Sequence, residues 1–359
     1  MPQLCLELTT KLDSLKQLKQ EFDLEFIKIK KLDSKKSDDL IFIRETKIKL
    51  EQSLAEFQDL FWPFEKTELN WQNFEAQYEN QVGILMEANL LDSFSNGKQG
   101  IKAIDNREYP LPTLEQIREK FVEKRELLKT KIDQGFVKLV IVPFGLPLDY
   151  LTKAYGDALT RHQQQGELLD SQNRPLKLDK EAVGLNSDYI KADGEGRLVY
   201  FLKDFLIDPI QGLTKETLLN TQAWQVLLLE DLPYLPAEGK GQIRAGRKQL
   251  EANQIPSRYL KQLQLDPQYQ DEQGLTPESW LMYALNHLEQ TNQVIDDWND
   301  QGKICLLVNS FIYFKSDDSV PGGVPRACFE SSPYQAALDW FNPVGSGANF
   351  GVRTAVSVF

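Results

Sequence analysis

The sequence predicts an α+β protein, with a helical front followed by a region of short strands and long loops. Three observations carry that reading. Leu8, Leu15, Phe22 and Ile29 recur every seven residues, with Leu4, Leu18 and Leu32 interleaved, an apolar seam flanked by Lys and Glu. Phe136–Phe144 (FVKLVIVPF), directly after Gln134-Gly135, is a β-branched run suited to a buried strand. From there turn signals and short strand patterns continue to the C-terminus, interrupted by one strong helix that opens at Thr276.

The seam is broken at Lys11 and Glu25 and meets a polar stretch, Asp33–Asp39. A second stripe follows through Ile41, Ile48, Leu54, Phe57 and Phe61 and ends near Pro63. Two helices packed on each other fit this pattern as well as an intermolecular coiled coil, which would make the chain a homo-oligomer through its N-terminal helices. Residues 67–95 and 113–133 read as further helices. Thr113 with Gln116 forms a capping box before Ile117, Phe121 and Leu128, and DNREYPLP is the loop between the two helices. Strands are expected at Gly166–Leu169 and Leu176–Leu178 around a turn, at Arg197–Leu202 after Asp193-Gly194, and at Trp224–Leu229. Thr276 is an N-cap with Pro277 in the first turn, and that helix should place Trp280, Leu281, Ala284, Leu288 and Val294 under a sheet. The alternation of Val352, Thr354, Val356 and Val358 makes Gly351–Val358 a strand with one buried face, expected beside Phe136–Val142. The chain divides on this basis into a helical, coiled-coil-like part (1–65), a second helical region (66–134) and a strand-rich domain (135–359).

Composition narrows the function. Hydrophobic residues make up 41% and charged residues 26%, enough for a proper core. A net charge of −12 argues against a nucleic-acid groove, which needs clustered Lys and Arg. It also disfavours anionic membranes. No apolar run approaches the ~20 residues of a spanning helix, so membrane insertion is not expected. The N-terminus lacks the basic start and apolar core of a secretory signal. Cytoplasmic residence is the default expectation, and display at a surface stays open.

Few residues invite catalysis. His162 and His287 are the only histidines, and both read as packing or surface residues. Neither His nor Cys occurs in the close-spaced pairs a zinc site requires. GKGQIRAGRK (Gly239–Lys248) lacks the G-K-[ST] ending of a phosphate loop and reads as a basic surface loop. Asp296-Asp297 and Asp317-Asp318 lack a glycine-centred acidic loop and read as solvated turn residues rather than calcium ligands. Cys305 and Cys328 sit in apolar contexts (ICLLV and ACF), as small core hydrophobes do. Their pairing stays open; with Cys5 they are too few for a disulfide framework. No catalytic residue, metal or cofactor is expected.

The last 44 residues, Ser316–Phe359, contain no lysine and are rich in Tyr, Trp, Phe, Ser, Gly and Asn, the composition of a paratope. Val320-Pro321, Arg326-Ala327, Ala337-Leu338, Trp340 and the closing Asn349–Val356 (NFGVRTAV) resemble the terminal signature of C-type-lectin-fold variable proteins, the targets of diversity-generating retroelements. Their fold is similar to the formylglycine-generating-enzyme branch. VKLVIVPFGLPLD, AWQVLLLEDLP, GRKQLEAN and LTPESWLMYALNHLEQTNQVIDD extend the resemblance over roughly 135–359.

The resemblance implies a C-type-lectin-like domain for 135–359 that binds an as yet unknown ligand, a protein by the character of the surface. In that family, template adenines are randomised, typically in AAC codons. An NNC codon never encodes Lys, Glu, Gln, Met or Trp, and between Val320 and Phe350 only Glu330, Gln335 and Trp340 belong to that set. Gly351, Arg353 and Ala355 would be scaffold, with Arg353 buried and paired. The binding positions would be Gly322, Gly323, Phe329, Ser331, Ser332, Tyr334, Asp339, Phe341, Asn342, Ser346, Ala348 and Asn349, sharing one solvent-facing patch. Two alternatives come from other classes: a formylglycine-generating-type oxidase using Cys305 and Cys328, and a structural coiled-coil protein whose C-terminal domain caps it.

Overall fold

Phe136–Val142 forms the predicted strand, and its neighbours follow from the need to cover its faces and satisfy both of its edges. The computed structural model describes residues 71–178, 183–185, 198–205, 212–232, 234–298, 303–313, 322–331 and 334–359. The heptad seam, the second stripe and Cys5 lie outside these residues, as do Asp317-Asp318 and Ser332. The chain divides after Phe74, and Glu75–Phe359 forms one unit. Residues 75–134 therefore belong with the strands, and no boundary at 135 appears among the described residues.

The described elements begin with α1 (Trp71–Glu87), β1 (Asp92–Ser93), β2 (Gln99–Lys102), β3 (Glu108–Pro110), α2 (Leu114–Glu123), α3 (Arg125–Asp133), β4 (Phe136–Val142) and α4 (Leu148–Gln165). Next come β5 (Val183–Leu185), β6 (Leu198–Tyr200), α5 (Lys215–Gln222), β7 (Gln225–Glu230), β8 (Ile243–Arg244), β9 (Arg247–Lys248) and α6 (Pro256–Leu265). The chain closes with β10 (Glu272–Gly274), α7 (Pro277–Thr291), β11 (Ile304–Leu306), β12 (Ser310–Tyr313), β13 (Gly322–Ser331), β14 (Tyr334–Phe341), β15 (Phe350–Gly351) and β16 (Thr354–Ser357).

One antiparallel sheet runs in the order β10-β16-β7-β4. A second runs β15-β11-β13-β12-β6, with β14 on the other edge of β13 and β5 beside β14. The architecture is α+β as the sequence predicts. Of the predicted strand Gly351–Val358, Thr354–Ser357 (β16) shares a sheet with β4, but with β7 between them. Gly351 belongs to β15 in the second sheet, so both the single strand and the expected adjacency are corrected. Both interior strands are buried on both faces: β7 carries the apolar run VLLL, and β16 buries the adjacent Ala355 and Val356.

Helix α7 starts where the sequence places it. The Thr276 side chain accepts from the Ser279 backbone N–H, and Ser279 Oγ accepts from Thr276 N at 2.8 Å. Its buried residues include Trp280, Leu281, Ala284 and Leu288, and the Trp280 ring meets Tyr155 of α4 edge-on at 6.0 Å. Val294 is also buried, but it lies beyond the left-handed C-cap Asn292 and is not helical.

Other expectations need correcting. The predicted helix over 67–95 ends at Glu87 and gives way to β1, and β3 occupies part of DNREYPLP. The helix over 113–133 breaks at Lys124, although the Thr113–Gln116 capping box forms as predicted. In place of the two strands at 166–169 and 176–178 there are only isolated bridges, from Leu169 to Pro175 and to Gln293. Helices α4, α5 and α6 stand in a region expected to hold strands. Their apolar residues recur at helical spacing, as in Leu148, Leu151, Tyr155, Ala158 and Leu159, and that period outweighs the β-branched runs nearby.

The GKGQIRAGRK segment is not wholly a surface loop. It folds into the β8–β9 hairpin, and Arg247 is buried between the Phe136 and Tyr269 rings. Its guanidinium donates to both carboxylate oxygens of Glu272 at 2.7 Å, and Lys131 donates to the same carboxylate at 2.8 Å. Two buried cations thus share one fully buried acid, with Glu230 3.2 Å from Arg247 balancing the second charge.

Candidate ligand-binding surface

Strands β13 and β14 form the long ribbon of the C-terminal segment, paired from Val324↔Phe341 at one end to Ser331↔Tyr334 at the other. Alternation gives it two faces. Ala327, Phe329, Ala336 and Leu338 enter the main core. Cys328 and Ala337 face the other way and pack with Ile304 against Phe350. After Phe341 the chain leaves the ribbon in a loop, 342–349, and returns through β15 to β16.

The return is pinned by Arg353. Its Nε and Nη2 donate to the two oxygens of Asp296 at 2.9 and 2.7 Å, and Nη1 donates to the Leu232 carbonyl at 2.6 Å. Trp280 Nε1 donates to Asp296 Oδ2 at 2.9 Å, and the Tyr283 ring lies 5.1 Å from the guanidinium carbon. Burial opposes the charge on Arg353, but Asp296 and Tyr283 outweigh it and hold the guanidinium above its usual range. The predicted burial and pairing of Arg353 are met. Asp296 is fully buried and serves as a structural carboxylate, not the solvated turn residue expected.

The predicted binding positions separate into groups. Phe341, Asn342, Ser346, Ala348 and Asn349 lie at the loop end of the ribbon with side chains at least partly accessible. Tyr334 is exposed but sits at the opposite end, seven residue steps or roughly 23 Å from Phe341 at strand rise. Ser331 ends β13 beside it. The structure does not join these two ends in one patch.

Gly322, Gly323, Phe329 and Asp339 are buried. A Cβ on Gly322 would stand 2.2 Å from the Ile312 carbonyl oxygen, and one on Gly323 2.6 Å from the Trp340 ring, so both must stay glycine for the ribbon to close. Phe329 is a core residue with no exposure. Asp339 forms a two-point pair with Arg326: Nη2 donates to Oδ2 at 2.6 Å and Nε donates to Oδ1. These four are scaffold by environment, and the expectation that they face solvent is corrected.

Sequence reasoning left other accessible groups unassigned. Trp340 beside the loop and Val344 within it are exposed, and Phe350 stacks on Phe341 with centroids 4.0 Å apart. Arg326 lies over the outer side of Phe350 at 5.6 Å, and Lys303 donates to Asn349 Oδ1 at 3.3 Å. The alternation Tyr334–Trp340 along β14 is the signal that would have placed Trp340 on one face and Phe341 on the other.

Neither cysteine suits thiol chemistry. Both are buried and free, and they belong to opposite faces of the sheet, since Cys305 packs in the main core and Cys328 in the outer cluster. Burial pushes both thiols up, against thiolate formation. His162 is buried with Nε2 3.3 Å from Glu289, and His287 is buried behind Tyr283. No group of His, Cys, Asp and Glu among the described residues has the arrangement of a metal site. No helix among them is long and apolar enough to cross a membrane. No family model, curated protein or solved structure matches the chain.

Proposed function

We propose that the C-terminal segment is a ligand-binding surface on a C-type-lectin-like scaffold, diversified as the target of a retroelement. The observation that carries this reading is the contrast within one short stretch. Loop 342–349 holds exposed small and polar side chains, while the elements on either side are fixed by the core face of β14 and by the Arg353–Asp296 pin. A rigid frame with replaceable side chains is what a diversified binder needs, because core positions tolerate few changes.

The surface this geometry favours is narrower than the sequence suggests: Phe341, Asn342, Ser346, Ala348 and Asn349, together with exposed Val344 of the same loop. Its occupant is taken to be a protein, with the accessible side of Phe341 as an aromatic contact and the small polar residues adapting hydrogen bonds. Any oligomerisation would come from the N-terminal heptads. The test is a library randomised at 342, 346, 348 and 349 and selected against a panel of protein targets. Binders that keep the parent fold support the reading, whereas a library that is mostly unfolded contradicts it. Diversification has its own test, a reverse transcriptase gene and a near-copy of the coding segment beside this gene.

A further inference from the structure

Strand β4 ends its sheet: β7 pairs with one edge, and no described strand pairs with the other. Four polar groups of the other edge are nevertheless satisfied by two side chains of α1. Gln77 Nε2 donates to the Val137 carbonyl at 3.0 Å, and its Oε1 accepts from Leu139 N at 2.8 Å. Four residues on, Gln81 Nε2 donates to the Leu139 carbonyl and Oε1 accepts from Ile141 N at 2.8 Å. Each amide therefore bonds to the residues before and after one strand position, Lys138 for Gln77 and Val140 for Gln81. That is the pattern made by a residue of a parallel strand. The repeats match: four helical residues rise about 6 Å, and two strand residues about 6.6 Å. Gln81 is buried and further held by Asn286, which donates to its Oε1 at 3.1 Å.

We propose that α1 is a strand surrogate, and that Gln77 and Gln81 close the β4 edge against pairing with β4 of a second copy of this chain. The strand, FVKLVIV, has a single charge and no proline or glycine, the composition that pairs most readily once an edge opens. A second copy fits because an antiparallel edge is self-complementary about a twofold axis, each strand's donors meeting the other's acceptors.

Amide hydrogen exchange on the full chain tests this. In the wild type, the Leu139 and Ile141 amides should exchange as slowly as those of Lys138 and Val140, which face β7. In Q77A/Q81A, Leu139 and Ile141 should exchange at least tenfold faster in dilute solution. The assembly mass should then rise with concentration to twice that of the wild type. Unchanged exchange, or faster exchange without a rise in mass, would overturn the proposal. Should the double variant not fold, Q77A decides: Leu139 accelerates alone, Ile141 stays protected, and the mass again rises above the wild type with concentration. Equal behaviour of the two amides, or no rise in mass, would contradict it.

Discussion

Two arginine–aspartate pairs, both two-pronged, flank the C-terminal loop, and they differ in their surroundings. Arg353–Asp296 is sealed, with side-chain exposures of 5% and 0%, and Trp280, Tyr283 and the Leu232 carbonyl complete its shell. Arg326–Asp339 sits on the outer face of the ribbon at 23% and 12%, with Phe350 as a partial cover. The same chemistry therefore does two jobs. The sealed pair fixes where the chain turns back into the core, and the half-open pair braces a surface that a ligand can reach.

Breaking the sealed pair gives the largest effect. Asp296→Ala strands a buried guanidinium and the Trp280 N–H, so unfolding in urea should show a loss of about 3–5 kcal/mol. Trp280→Ala, a large core truncation, belongs in the same ~3–5 kcal/mol range. A loss below about 1 kcal/mol for either would mean that the pin is not what holds the return strand.

Buried His287 sets a pH dependence. Burial pushes His287 down to about 4, with Arg353 and Lys138 adding to the effect. The unfolded chain binds this proton near 6.5, so the unfolded state holds more protons between about 6.5 and 4. Stability contributed by neutral His287 is therefore complete above pH 6.5 and lost as the pH falls toward 4, by up to about 3 kcal/mol. His287→Gln should flatten that part of the stability profile. A wild-type slope no steeper than that of His287→Gln would contradict the assignment.

The half-open pair should matter less. Arg326→Ala is expected to cost about 1–2 kcal/mol, between an exposed ion pair and a buried charged hydrogen bond. A cost equal to that of Asp296→Ala would erase the distinction between the two pairs.

The same distinction marks what could be read from the sequence. The α7 cap, β4 and the burial of Arg353 follow from local pattern or from the closing motif, and all three appear as expected. Asp296 was not legible, because a lone acid after a helix looks like a turn residue until Arg353 and Trp280 converge on it from 57 and 16 residues away. Arg247 misled in the same way: its glycine-flanked neighbours look like a loop, while Glu272 and two aromatic rings take it inside. The family resemblance made Gly322, Gly323, Phe329 and Asp339 look like binding positions. Their burial depends on the cross-strand neighbours Ile312, Trp340 and Arg326, which no local window contains. The amide cap on β4 is likewise invisible without the register of a strand some 60 residues away.

The central claim is that the loop is replaceable and its frame is not. Thermal or urea unfolding of a matched set of single substitutions measures this directly: Ser346→Tyr, Ala348→Asp and Asn349→Tyr against Phe329→Ala and Gly323→Ala. The loop changes should each stay within about 0.5 kcal/mol of the wild type, as exposed positions do. Phe329→Ala should cost about 3–5 kcal/mol, and Gly323→Ala should also be clearly destabilising. Loop substitutions as costly as those in the frame would contradict the account.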